Sequence, residues 1–118
     1  MEIVETRSFT KQLKAYLADE EYRKLQAFLT DDPEAGDVIA GTGGLRKVRW
    51  SDRQRGKGKR GGLRVIYCYF REDLQLYLMT LYDKDEADDL TVEQRRFLRA
   101  ALTQEKLARK AARAKRKR

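Results

Sequence analysis

The chain has 118 residues, 27 Lys or Arg against 19 Asp or Glu, no histidine, one cysteine and a formal charge of +8 at pH 7. That length suits one domain that buries a core without metals or disulfides. Cys68 alone excludes an internal disulfide and fits a reducing compartment, and the lack of histidine excludes a cysteine-histidine zinc site. The opening MEIVETRSF holds neither a basic n-region nor a long apolar run, and nothing later approaches the roughly 18 apolar residues of a membrane span. A soluble, cytoplasmic protein with no membrane partner is the expectation.

Taken in order, Glu2 to Glu5 fits a short first strand. Ser8 can cap a helix whose Phe9, Leu13, Tyr16 and Leu17 form one apolar stripe. Asp19 reads as a second cap, ahead of Tyr22, Leu25, Phe28 and Leu29 on one helical face, and Pro33 stops that helix near Asp32. Glu34 to Gly44 is a connector whose Gly41, Gly43 and Gly44 suggest positive φ before the next strand.

Leu45 to Trp50 reads as a strand. Its period of two puts Lys47 and Arg49 on one face, with Arg46, Val48 and Trp50 on the other. Ser51 to Gly62 is a long glycine-studded basic loop. Its literal G-x-G-x-x-G at Gly56, Gly58 and Gly61 is followed by a strand rather than the helix a dinucleotide site needs. Leu63 to Phe70 and Leu74 to Tyr82 are strands with apolar residues on both faces, turning at Arg71-Glu72-Asp73. Cys68 reads as a core thiol. After the acidic run Asp83 to Asp89, Thr91 and Gln94 form a capping box opening a helix with Phe97, Leu98, Ala101 and Leu102 on one side. Beyond Leu107 no apolar stripe remains, and the chain is expected to fray. The fold class is therefore α+β. Two N-terminal helices and a C-terminal helix pack on one face of a mostly antiparallel, curved sheet, leaving the other face to the basic residues.

Charge is unevenly placed. Arg46 to Arg64 holds nine Lys or Arg against Asp52 alone, and residues 106–118 hold eight with no acid, so the remainder is acidic. Two positive zones on an acidic body focus a field for a polyanion. Arg46, Arg53, Arg55, Lys57, Lys59 and Arg60 are candidate RNA contacts. Lys47, Arg49, Arg64 and Lys84 can converge on one concave surface. Cleaving RNA through its 2′-hydroxyl needs a base, charge neutralisation at phosphorus and an acid for the leaving oxygen. Arginine stays protonated, so Arg49 and Arg64 suit holding the phosphate by forked hydrogen bonds. Lys47 is the candidate for proton transfer, and Lys84 suits either task.

The blocks GDVIAGTGGLRKVRW, GKGKRGGLRVIY and LMTLYDKDEADDLT, in this order and spacing, resemble the RelE/ParE superfamily of bacterial toxins, and most closely the HigB type. The likeness covers about residues 1–105, leaving 106–118 as a basic tail. It implies a RelE-like, metal-independent endoribonuclease without cofactor that enters the ribosomal A site and cuts messenger RNA there. A cognate antitoxin, typically a helix-turn-helix protein, would hold it inactive. By position, the family's lysine-x-lysine strand falls on Lys47 and Arg49, its next-strand arginine on Arg64 and its late basic residue on Lys84. Arg49 stands where a second lysine is usual, and the tyrosine expected after the last strand falls at Leu90, which leaves the acid and base open. Tyr82 is near enough in sequence to be a candidate substitute, with simple packing as the alternative. A ParE-like gyrase poison and a non-catalytic ribosome-binding or RNA-binding protein are the competing readings.

Overall fold

A computed structural model describes residues 1–51, 62–84 and 89–116. The elements are β1 (Glu2–Glu5), α1 (Arg7–Tyr16), α2 (Asp19–Asp31), β2 (Asp37–Val38), β3 (Arg46–Trp50), β4 (Leu63–Phe70), β5 (Gln75–Asp83) and α3 (Val92–Arg116). The five strands form one sheet in the order β1-β5-β4-β3-β2. Among the described residues β1 pairs with β5 in parallel, while β2–β3, β3–β4 and β4–β5 are antiparallel. The architecture is the expected α+β.

The helices do not share one face, as the sequence suggested. Phe9, Leu17, Leu25 and Leu29 of the α1–α2 pair bury against Val48, Val65, Tyr67 and Leu81. Leu98 and Leu102 of α3 bury with Ile66, Cys68 and Met79 in a second core. Alternate β4 residues feed opposite cores, and this is why that strand reads as apolar on both faces. Each buried Leu or Ile side chain contributes roughly 1.5–3 kcal/mol relative to exposure, so α3 is held by the sheet and no face is left bare for the cations alone.

Local signals explain the ends of the elements. Thr6, two residues ahead of the expected Ser8, caps α1: its Oγ1 accepts from the Phe9 N–H at 3.1 Å and donates to the Met79 carbonyl at 2.6 Å. Asp19 lies inside α2, whose N-cap is Ala18, and Asp19, Glu20 and Glu21 set negative charge at the positive end of the helix dipole. The capping box forms as read, with the Gln94 N–H donating to Thr91 Oγ1 and the Thr91 N–H to Gln94 Oε1. Gly41, Gly43 and Gly44 have φ of 76°, 82° and 122°, the region that favours glycine. The connector also holds β2, a two-residue edge strand too short to carry a period.

Two further differences matter. Phe97, read on one side of the helix with Leu98, Ala101 and Leu102, is 74% exposed while Leu98 and Leu102 are buried. The helix does not fray beyond Leu107 but runs on to Arg116. Arg109 reaches Asp73 at 2.6 Å and Glu105 at 3.0 Å and stacks 3.8 Å over the Phe70 ring, while Arg113 meets Glu72 at 3.2 Å. Acids of the β4–β5 turn thus replace the missing apolar stripe as the anchor.

One irregularity positions the site. Ile66 pairs with Thr80 but Tyr67 pairs with Leu78, so β5 carries an extra residue at Met79. Strict alternation from Leu76 and Leu78 would send Thr80 and Tyr82 towards α1 and α2. The bulge instead gives Leu81 to that core and turns Tyr82 to the α3 side, opposite Arg64.

Candidate functional site

Val48 and Trp50 are buried towards α1 and α2, so the pleat turns Lys47 and Arg49 of β3 to the α3 side. Arg49, Arg64 and Tyr82 are successive cross-strand partners on β3, β4 and β5, with Lys47 two residues along. Three of the four expected residues therefore share one sheet face. Arg64 is only 4% exposed, and its Nη1 lies 3.3 Å from the Leu63 carbonyl and 3.4 Å from that of Gly62. The Gly62 carbonyl also accepts the Lys84 N–H at 3.2 Å. Lys84, exposed just past the end of β5, thereby joins the same end of the cluster.

Among the candidate RNA contacts, Arg46 faces the other way. Its guanidinium donates to the carbonyls of Gly36 at 2.8 Å and Glu34 at 3.1 Å and pairs with the Glu34 carboxylate at 3.2 Å. Arg46 thereby holds the connector to β3. Arg53, Arg55, Lys57, Lys59 and Arg60 lie outside the described residues.

The sequence reading missed the acid at the centre. Asp89 lies 3.9 Å from Lys47 Nζ through Oδ1 and 2.8 Å from Arg95 Nη2 through Oδ2. Oδ1 also accepts from the Leu90 N–H at 2.8 Å and from the Tyr82 hydroxyl at 3.4 Å. Partial burial pushes the Asp89 carboxyl up, but the Leu90 hydrogen bond and the Lys47 and Arg95 charges outweigh it and hold the group below the usual carboxylate range. For Tyr82, burial first, then the charge and hydrogen bond of Asp89, push the phenol up to about 12. Near neutral pH it is a proton donor. Asp89 had read as one member of an acidic connector. The capping box had put Arg95 in the first turn of α3, but nothing local set that turn beside Lys47.

Beside the cluster, a hollow of about 700 Å³ opens between the N-terminal ends of α1 and α3, with Met79, Leu90, Leu98 and the exposed Phe97 among its walls. Tyr82 and Asp89 belong to its rim, so the cationic surface and the apolar hollow adjoin. Among the described residues no group of three or more Cys, Asp or Glu is placed to hold a metal ion, and no helix is long and apolar enough to cross a membrane. Cys68 is buried in the α3-side core, and that burial pushes its thiol up.

No family model matches the chain. Among solved structures, the isolated E. coli RelE toxin superposes with a TM-score of 0.51 at 15% identity, covering 70% of this chain and 82% of that one. A chain of the intact E. coli RelBE toxin-antitoxin complex gives 0.51 at 16% identity, covering 70% and 94%. The fold described above is the RelE fold.

Proposed function

We propose that this chain is the toxin of a type II toxin-antitoxin pair, a ribosome-dependent endoribonuclease that cuts messenger RNA in the ribosomal A site and so stops translation. The observation that carries this reading is the row Arg49, Arg64 and Tyr82, with Lys47 beside it, on one face of a RelE fold. A phosphodiester laid on this face meets fixed positive charge from two strands, which favours the charge that develops as the 2′-hydroxyl attacks phosphorus. Tyr82, protonated at neutral pH, supplies a proton to the departing 5′-oxygen. Lys47 remains the candidate for the other proton transfer, Arg49 and Arg64 hold the phosphate, and Lys84 adds charge at the end of the row. Among the described residues the site has no strong proton acceptor, and a ribosome that orders the message makes up for that through positioning. The neighbour solved within a toxin-antitoxin complex supports an antitoxin as the second partner.

Primer extension on ribosomes translating a defined message tests the reading. Cuts within codons are expected. Intact message with damaged DNA would instead mark a gyrase poison, and neither would leave a cationic binding protein.

A further inference from the structure

Asp89 sets a carboxylate within the cationic cluster. Its carboxylate is met by Lys47, Arg95 and the Tyr82 hydroxyl from three different elements, at 3.9, 2.8 and 3.4 Å. A carboxylate and a non-bridging phosphate edge present similar pairs of oxygen acceptors, so a site built around one accepts the other. A second observation points the same way. The Arg95 Nε–H is buried and has no hydrogen-bond partner among the described residues, while Nη2 is taken by Asp89. A buried guanidinium donor left unmatched is costly, and a phosphate would engage Nε and Nη2 together where the carboxylate engages only Nη2.

We propose that Lys47, Arg95 and Tyr82 form a phosphodiester seat that the chain's own Asp89 fills until RNA displaces it. Arg95, which neither sequence position nor strand pairing marked, becomes an RNA-binding residue contributed by α3. Asp89 becomes an internal competitor that lowers the affinity of the free protein for loose RNA. The proposal rests on RNA being the ligand of this face, as in the function proposed above, but it needs no cleavage.

The experiment measures binding of a short single-stranded RNA carrying 2′-O-methyl groups, which block the attacking hydroxyl, across a salt series. Asp89→Asn keeps an oxygen for the Leu90 N–H, so the loop retains its local bond. Removing a competing ion pair of this exposure is expected to tighten binding about 2- to 5-fold. It should also steepen the slope of log K against log salt by about 0.7, the value of one further phosphate neutralised on single-stranded RNA. Arg95→Gln should weaken binding and remove most of the gain from Asp89→Asn when the two are combined. Unchanged or weaker binding by Asp89→Asn, or a gain that survives intact in the double variant, overturns the seat. Tighter RNA binding without message cutting would keep the seat and sink the nuclease reading. Message cutting with no effect of Asp89→Asn on binding would do the reverse.

Discussion

At the scale of single residues, Arg64 and Tyr82 carry different burdens. Arg64 is nearly enclosed between β3 and β5, with Arg49 and Tyr82 as its cross-strand partners. If the cluster stabilises charge at phosphorus, Arg64→Ala lowers ribosome-dependent cutting about 10²- to 10³-fold, the usual loss on removing one such donor. Retained cutting, with near-ultraviolet circular dichroism confirming the fold, removes Arg64 from the mechanism. Tyr82 offers a pH signature. Its folded value, near 12, lies above the ordinary tyrosine value of about 10. The stabilisation linked to it is therefore intact below pH 10 and is lost as pH rises through the folded value. Tyr82→Phe should flatten the fall in the denaturant midpoint between about pH 10 and 12, and should delete a late-ionising tyrosine from the ultraviolet titration. A titration that instead loses a tyrosine ionising near 10 would refute the buried, Asp89-linked phenol.

At the scale of elements, the strands β3, β4 and β5 were legible because their alternation is long and their ends carry turn residues, and the start of α3 because its capping box is written in four residues. Three features were not. The side of the sheet that α3 covers depends on Ile66 and Cys68 finding Leu98 and Leu102, a pairing across thirty or more residues that no window contains. The direction of Tyr82 depends on one extra residue at Met79, which a strict period of two cannot see. The last turns of α3 looked unanchored because their partners are ionic and stand on the β4–β5 turn. That anchor gives the element its own test. Arg109→Ala removes the guanidinium from Phe70 as well as from Asp73 and Glu105, and loss of the stacking alone costs about 1–2 kcal/mol when such an interaction is largely desolvated. Amide hydrogen exchange should quicken in residues 107–116 while the strands keep their protection. Unchanged exchange there would mean that Arg113 and helix propensity hold the end of α3 without Arg109.

At the scale of the whole molecule, the basic C-terminal segment has two populations of charge that the sequence cannot separate. Arg109 and Arg113 point back to acids of the domain and Lys106 donates to the Gly43 carbonyl, so their charge is partly consumed inside the fold. Lys110 and Lys115 are exposed on the same helix and point no charge back at the domain's acids among the described residues. If the segment serves to dock on ribosomal RNA, the second population carries that role. Lys110→Gln with Lys115→Gln should then weaken ribosome binding and make its salt slope shallower by about 0.7 to 0.9 for each phosphate that is no longer neutralised. The melting temperature should hardly move, since exposed charges without close partners contribute little to stability. Truncation after Leu107 cannot make this distinction, because it also removes the Arg109 and Arg113 anchors and so mixes weaker docking with a disturbed fold. An unchanged salt slope in the paired substitution would remove Lys110 and Lys115 from RNA docking, leaving that stretch of α3 as a brace for the β4–β5 turn.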